Sequence, residues 1–158
     1  MKLVKQTKDG WQYQLNPAEA DCLRSLLNQF PITASATAKI SRTDSDPQIV
    51  DREKLLNESL ADHREKLKTR ARSLIGAGKF KERDKNWRLC INSEERECLF
   101  QILNDIRVGS WRALGEPENP EPQTPHPTER EKVFHNIMNL AGYFEHRLLD
   151  HEEAENSS

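Results

Sequence analysis

The strongest constraint on the fold is a stretch of about twenty residues that occurs twice, at 11–30 and at 87–106. The offset between the two copies is constant, and conservative pairs such as Leu15 and Ile91 fill several of the remaining positions. Unrelated stretches would match at roughly one position in twenty. The identical pairs are Trp11/Trp87, Asn16/Asn92, Glu19/Glu95, Cys22/Cys98, Leu23/Leu99, Leu27/Leu103 and Asn28/Asn104. The repeat predicts two similar units that pack face to face about a pseudo-twofold axis.

Each copy has the pattern of a β-hairpin followed by a helix. In the first, residues 3–6 and 11–15 flank Lys8-Asp9-Gly10, and an Asp-Gly pair between strand-like runs indicates a hairpin because glycine tolerates a positive φ. In the second, residues 80–83 and 87–91 flank Asp84-Lys85-Asn86. Alternation along the second strand of each hairpin predicts one inward face. Its side chains are Trp11, Tyr13, Leu15, Trp87, Leu89 and Ile91.

The helix of each repeat has a clear start. Asn16 is a good N-cap residue, Pro17 suits the first helical position, and Glu19 falls at N3. The second helix is predicted to begin at Ser93, with Asn92 as the alternative cap. Helical spacing predicts matching inward stripes. They are Leu23, Leu26, Leu27 and Phe30 in the first helix, and Leu99, Ile102, Leu103 and Ile106 in the second.

Two further helices complete the pattern. Asp46-Pro47 opens a long helix over 47–76, and Thr128 with Glu131 forms a capping box for a last helix over 128–150. Five prolines in 116–127 predict an extended, exposed spacer between the second repeat and the last helix. The side chains predicted to face inward are Leu56, Leu60, His63, Leu67, Ala71 and Leu74 on the long helix, and Val133, Ile137, Leu140, Phe144 and Leu148 on the last.

These elements predict a single α+β domain over residues 1–150 that is mostly α-helical. Repeat 1 covers about 1–30 and repeat 2 about 79–115, and the two long helices complete one shared core. Residues 151–158 are predicted to be a frayed tail.

Charge is unevenly distributed along the chain, although the formal net charge is only −2. Residues 62–88 contain ten Lys or Arg against four acids, whereas residues 115–158 contain ten acids against three Lys or Arg. The basic middle, with Arg64, Lys68 and Arg72 as candidate binding residues, is either a set of solvated helix faces or a surface for an acidic partner. No apolar run is long enough for a membrane span, and the start lacks a signal-peptide pattern.

Three cysteines, Cys22, Cys90 and Cys98, have no metal-ligand spacing, so we expect reduced thiols and a cytoplasmic protein. Cys22 and Cys98 occupy equivalent repeat positions. They are interpreted either as buried, inert thiols or as a redox pair across the axis. Cys90 is expected on the opposite strand face from Leu89 and Ile91, and therefore to be a more exposed and more reactive redox candidate.

Residues 102–115 read Ile-Leu-Asn-Asp-Ile-Arg-Val-Gly-Ser-Trp-Arg-Ala-Leu-Gly and resemble the central motif of the bacterial domain of unknown function 2017 family. That motif has an Asn-Asp-x-Arg core, a later Gly and an Arg-Leu-Gly end, from which Arg-Ala-Leu-Gly departs slightly. Residues 23–29 resemble the first helix of that family, and Asp46-Pro47 matches the start of the next. The resemblance spans about 11–149. It implies a small, mainly helical cytoplasmic protein without established catalytic residues, and a link to stress response or proteolysis control through genes near the Clp protease adaptor.

The best polar candidates for a binding site are Asn104, Asp105 and Arg107. Asn104 and Arg107 share one helical face with Trp111, whereas Asp105 points elsewhere. Because Asn28 is the repeat equivalent of Asn104, hydrogen bonding between or around these amides at the centre of the fold is the alternative to a pocket. Neither a catalytic nucleophile nor a histidine accompanies them in the sequence. His146 and Asp150 are spaced for a shared metal but lack a second pair of ligands.

We therefore expect a non-enzymatic interaction or regulatory protein without a cofactor, acting as a homodimer or on another protein. A nucleic-acid-binding regulator that uses residues 64–88 is the alternative. An enzyme or small-ligand binder at the Asn104, Arg107 and Trp111 face is a lesser one.

Overall fold

The computed structural model describes residues 1–32, 47–76, 78–119 and 125–150. Within them the chain forms a mixed α+β fold that is mostly helical, as predicted. The strands are β1 (Lys2–Thr7), β2 (Gly10–Leu15), β3 (Phe80–Arg83) and β4 (Asn86–Ile91). The helices are α1 (Pro17–Gln29), α2 (Pro47–Gly76), α3 (Ser93–Ala113) and α4 (Glu129–Leu149).

Both predicted hairpins form, and they join into one antiparallel sheet with the order β1-β2-β4-β3. Thr7 pairs with Gly10 and Arg83 with Asn86, so a two-residue loop closes each hairpin. In the second loop Asp84 and Lys85 have φ values of 52° and 64°. Two positive φ values are typical of the type I′ turn, whose twist matches that of the strands.

The second strands of the two hairpins pair at the centre of the sheet. In the β2–β4 ladder Trp11 lies opposite Ile91, and Leu15 lies opposite Trp87. Tyr13 and Leu89 form the middle pair. The first strand of each hairpin, β1 or β3, lies at an edge of the sheet. The two repeats therefore contact each other within the sheet through β2 and β4.

The core lies between one face of the sheet and the helices. Tyr13, Leu15, Leu89 and Ile91 are buried, and the predicted stripes of α1 and α3 are buried as well. Trp11 and Trp87 share this face but are only half-buried. The predicted inward alternation is therefore confirmed, with the fullest burial at Tyr13, Leu15 and Leu89.

The helix ends follow the predicted signals. Asn16 caps α1 and Thr128 caps α4, each with its Glu in a reciprocal capping box. For α3 the cap is Asn92 rather than Ser93, with Glu95 as its partner. Gly115 follows the end of α3 with a φ of 85°, as expected of a residue after a helix C-cap.

The predicted inward face of α2 is wrong in its first half. Leu67, Ala71 and Leu74 are buried as predicted, and Leu60 is half-buried, but His63 is exposed and Leu56 is 39% exposed. From the buried Leu67 toward the N-terminus of α2, the inward positions recur in alternating steps of three and four residues. These positions are half-buried, and they are Arg64, Leu60, Asn57 and Glu53. The prediction failed because it followed apolar residues, whereas polar side chains occupy this part of the stripe.

On α4, Ile137, Phe144 and Leu148 are buried as predicted, Leu140 is half-buried, and Val133 is 52% exposed, so its predicted inward position is wrong. Met138 and Ala141 are buried in addition. Some predicted features lie wholly or largely outside the described residues. They are the middle of the proline-rich spacer, the tail at 151–158 and a loop that the Ala, Ser and Thr content of residues 31–44 predicts. Ala77, in the Gly-Ala-Gly sequence that is predicted to end the long helix, also lies outside the described residues.

Candidate functional site

The predicted face of Asn104, Arg107 and Trp111 is tied into the surrounding helices. Arg107 Nε lies 2.9 Å from Oε2 of Glu145 on α4, and its Nη2 donates to Oδ1 of Asn104 at 3.0 Å. Asn104 and its repeat equivalent Asn28 are both exposed. The idea that these two amides hydrogen bond at the centre of the fold is therefore wrong, and Asn104 instead orients Arg107.

Trp111 is half-buried, and its indole Nε1 donates to the carbonyl of Pro117 at 3.0 Å. This bond fastens the segment after α3 back onto the helix. Ser110 beside it is fully buried and donates to the carbonyl of Ile106. Both contacts are internal to the chain, so they favour a structural role for this end of α3.

Glu145 is the most deeply buried charged side chain that the described residues contain, at 8% exposed. Its Oε2 meets Arg107, but its Oε1 is buried without a hydrogen-bond partner in the described part of the chain. Burial raises the pKa of Glu145 above its ordinary value, although the neighbouring Arg107 charge and hydrogen bond act in the opposite direction. The carboxylate therefore depends on Arg107 to stay charged inside the fold.

The predicted basic residues on α2 do not form one surface without counter-charges. Arg64 Nε lies 3.9 Å from Oδ2 of Asp105, and Lys68 Nζ lies 3.6 Å from Oε1 of Glu65. Arg72 is exposed. The middle of the chain is thus partly neutralised by acids of α2 and α3.

All three cysteines are free thiols. Cys98 is buried, while Cys22 and Cys90 are half-buried. Cys98 adjoins a cleft of about 220 Å³ that Arg70, Ser73 and Glu94 also line. Burial raises the pKa of the Cys98 thiol despite the nearby Arg70 guanidinium. A protonated thiol is a poor nucleophile, so Cys98 fits the inert alternative better than the redox one.

The glutamates of the first two capping boxes carry a second contact that the sequence did not reveal. Glu95 accepts the Asn92 backbone N–H at 2.9 Å and also meets Lys79 Nζ at 2.7 Å. Glu19 accepts the Asn16 N–H at 2.8 Å and pairs with the α-ammonium group of Met1. Each carboxylate therefore joins its helix start to the residue just before the outer strand of its own hairpin.

These contacts make stability depend on pH. Burial alone would raise the pKa of Glu95, but the Lys79 hydrogen bond and the Asn92 N–H lower it overall; the pKa of Glu19 is lowered in the same way. A carboxyl whose pKa is lower in the folded state than in the unfolded state stabilises the fold when the pH is above the unfolded-state pKa of about 4.3. That stabilisation is lost as the pH falls through the folded-state pKa.

We expect urea unfolding to show a falling free energy of unfolding below about pH 4.3, with a shallower fall in Glu95→Gln. Glu94→Gln is the matched control, because Glu94 is exposed in the same helical turn and outside the capping box. An equal pH dependence in Glu95→Gln and the natural sequence would contradict this role.

Arginine side chains cover both repeated tryptophans. The Arg24 guanidinium of α1 lies 3.9 Å from the ring centroid of Trp87, and that of Arg96 in α3 lies 5.0 Å from Trp11. Each arginine thus stacks on the tryptophan of the other repeat. Arg96 Nε also donates to the hydroxyl of Tyr13 at 3.3 Å, which ties α3 to β2. Sequence reasoning missed both arginines because they lie outside the identical positions.

Sequence reasoning also missed two surfaces of the molecule. One is the exposed apolar part of α2, where Val50 is 53% and Leu55 is 66% exposed. The other is the sheet face that points away from the core. The alternation along the strands that identifies the inward side chains also identifies the outward ones, so the sequence pattern could have predicted this second surface.

The described residues contain no group of three or more His, Cys, Asp and Glu side chains placed to hold a metal ion. His146 Nε2 lies 3.1 Å from Oδ1 of Asp150, which is a contact within one helix. Among the helices of the described residues, none is long and apolar enough to cross a membrane.

Comparisons with family models, with curated proteins and with solved structures found no match to this chain. Membership of the domain of unknown function 2017 family therefore stays a prediction from the motif at 102–115.

Proposed function

We propose that this chain is a cytoplasmic, non-enzymatic interaction or regulatory protein that acts as a homodimer through the first half of α2. The observation that carries the proposal is the set of large apolar side chains that this segment leaves exposed. Val50, Leu55 and Leu56 lie within seven residues and are half of the large hydrophobic side chains that are exposed in the described part of the chain. With about 100° per residue, Leu55 and Leu56 lie side by side on the helix, whereas Val50 points about 120–140° away from them. Contiguous apolar exposure, here that of Leu55 and Leu56, marks interaction surfaces, whereas isolated exposed residues are ordinary.

The rest of α2 explains why this segment remains exposed. Its second half is held in the core by Leu67, Ala71 and Leu74. The first half contacts the domain mainly through a stripe that contains the polar residues Asn57 and Glu53. A second copy of the helix would cover Leu55 and Leu56 symmetrically. A contact of a few helical turns is smaller than a standard interface of about 1,600 Å², so we expect a weak, concentration-dependent dimer.

We also propose that the protomer contains a duplicated ββα unit with a pseudo-twofold axis through the Tyr13–Leu89 pair. Three features support it. Exchange of the repeat equivalents maps the Trp11–Ile91 pair onto the Leu15–Trp87 pair. Each capping glutamate binds a cation that precedes its own hairpin. Arginines also stack reciprocally on the two tryptophans.

Sedimentation velocity over a wide concentration range tests the dimer. We expect the natural sequence to approach twice the monomer mass at high concentration, and Leu55→Glu and Leu56→Glu to remain monomeric. Val133→Glu is the matched control because Val133 on α4 is 52% exposed, between the 39% of Leu56 and the 66% of Leu55. A natural chain that stays monomeric throughout, or an equal loss of dimer in Val133→Glu, would contradict the proposal.

The two alternative functions, an enzyme or ligand binder and a nucleic-acid binder, receive different support. The face of Asn104, Arg107 and Trp111 makes internal contacts, which gives little support to an enzyme or ligand site there. A link to proteolysis control remains part of the proposal through the motif resemblance alone. Nucleic-acid binding gains support from the outward face of the sheet, which includes Lys81 and Arg88 of the 64–88 stretch but not Arg64, Lys68 and Arg72 of α2.

A further inference from the structure

The outward face of the sheet collects basic side chains that are far apart in the sequence. Strand register places Lys2, Gln14, Arg88 and Lys81 in one row across the sheet, and Lys5, Gln12 and Cys90 in the next. These positions alternate with the buried Tyr13, Leu15, Leu89 and Ile91, so their side chains point away from the core. No acidic residue occupies an outward position on the four described strands.

Four of these cations have no ion-pair partner within the described residues: Lys2, Lys5, Lys81 and Arg88. By contrast, Lys79 at the edge of the same face pairs with Glu95, and Arg83 pairs with Asp84. Lys2, Lys5 and Lys81 are exposed. The face therefore carries uncompensated positive charge, although the chain as a whole is slightly acidic.

Lysines on edge strands also serve to block pairing with other strands, which would account for Lys2, Lys5 and Lys81. That role does not account for Arg88, which lies on the central strand β4. Its Nη1 is buried and donates to no acceptor in the described part of the chain. Because the side chain as a whole is only half-buried, its other guanidinium N–H groups can donate to an anion at the surface.

We propose that this outward face, through Lys2, Lys5, Lys81 and Arg88, binds the phosphate backbone of double-stranded DNA. The two cationic edges, β1 and β3, are three strand spacings apart, or about 14 Å. This is comparable with the about 12 Å width of the B-DNA major groove, so each edge can contact one phosphate strand. The amides of Gln12 and Gln14, between the edges, can bond to phosphate or sugar oxygens.

The same face disfavours the other polyanions. Trp11, Tyr13 and Trp87 all point to the core side, so the outward rows offer no aromatic platform on which single-stranded bases could stack. On the described strands the one large apolar side chain that is exposed is Val4 of β1, beside Lys5, and a single valine is a weak anchor compared with the Trp, Phe and Leu that peripheral proteins insert into lipid. Contact with phosphates alone predicts binding that is independent of sequence and steeply dependent on salt.

Fluorescence polarisation with a labelled DNA duplex of about 20 base pairs, over about 50–300 mM KCl, tests the proposal. Four phosphate contacts predict a slope of about −3.6 for the logarithm of the association constant against that of the salt concentration. Lys5→Gln combined with Lys81→Gln should make the slope shallower by about two and weaken binding roughly 50-fold near 100 mM salt.

The matched control combines Lys66→Gln with Lys132→Gln, which removes the same charge from exposed positions on α2 and α4, outside both proposed surfaces. Because all four lysines are exposed, each variant should keep the unfolding midpoint of the natural sequence. Three results would overturn the proposal: no binding of the duplex at low salt, an equal or larger loss in the helix control, or tighter binding to single strands or to anionic phospholipid vesicles. Retained duplex binding in the helix control, with the loss confined to Lys5 and Lys81, supports it.

Discussion

Replacing Gly10 with alanine is expected to destabilise the fold by about 3 kcal/mol, even though only a methyl group is added. Gly10 has a φ of 149°, a region that other residues rarely adopt. A Cβ atom there would lie 2.4 Å from the carbonyl oxygen of Ile91, which is backbone of the neighbouring strand. The first hairpin cannot relieve this contact without moving away from β4. Chemical denaturation of Gly10→Ala measures the loss.

Gly76→Ala is the matched control. Gly76 ends α2, and an added Cβ would meet nothing within 4 Å. Removal of a glycine from a compatible position generally stabilises by about 0.4–1 kcal/mol, so Gly76→Ala should be neutral or slightly stabilising. Equal changes in the free energy of unfolding at the two glycines would contradict the close approach of Gly10 to the Ile91 backbone.

Replacing Arg107 with alanine is expected to cost about 2 kcal/mol of unfolding free energy at neutral pH. The change leaves the buried Glu145 carboxylate without its counter-charge. The value is below the range of about 3–5 kcal/mol for fully buried pairs because the Arg107 side chain is 45% exposed and water screens the pair. Since the pKa of Glu145 is already raised, the deficit of the variant should shrink as pH falls and this carboxyl takes up a proton.

Arg112→Ala provides the comparison, because Arg112 is 47% exposed and its Nε lies 3.9 Å from Glu116, also an exposed residue. We expect less than about 0.5 kcal/mol there. The double variant Arg107→Ala with Glu145→Gln should recover most of the loss. If Arg107→Ala were as stable as the natural sequence at every pH, the residue would be available for ligand binding and its structural assignment would be wrong.

Much of the fold follows from local sequence signals. The caps at Asn16 and Thr128, the Asp-Gly hairpin and the stripes of α1 and α3 are short-range features, and they were predicted correctly. The inward face of the first half of α2 was predicted wrongly. Its helical periodicity was judged from apolar residues, whereas Glu53, Asn57 and Arg64 occupy the inward positions.

The candidate surfaces depend on contacts that no local pattern specifies. Lys2 and Lys5 join Lys81 and Arg88 only because β2 pairs with β4, and that pairing is a tertiary choice. Likewise, Glu145 lies 38 residues beyond Arg107, and nothing near either residue in the sequence signals their ion pair. The charge excess at 62–88 was a correct observation about composition, but it did not reveal which cations would share a face.

The outward sheet face and the first half of α2 are the two proposed binding surfaces of this protein, whereas the Asn104, Arg107 and Trp111 face is proposed to be structural. Residue-resolved ¹⁵N NMR distinguishes these surfaces, first with rising protein concentration and then with added duplex DNA at fixed protein concentration. We predict shift changes at 50–56 in the first titration, and at Lys2, Lys5, Lys81 and Arg88 in the second. Shift changes that centre on 104–111 in both titrations, with the sheet and α2 unaffected, would contradict these proposals.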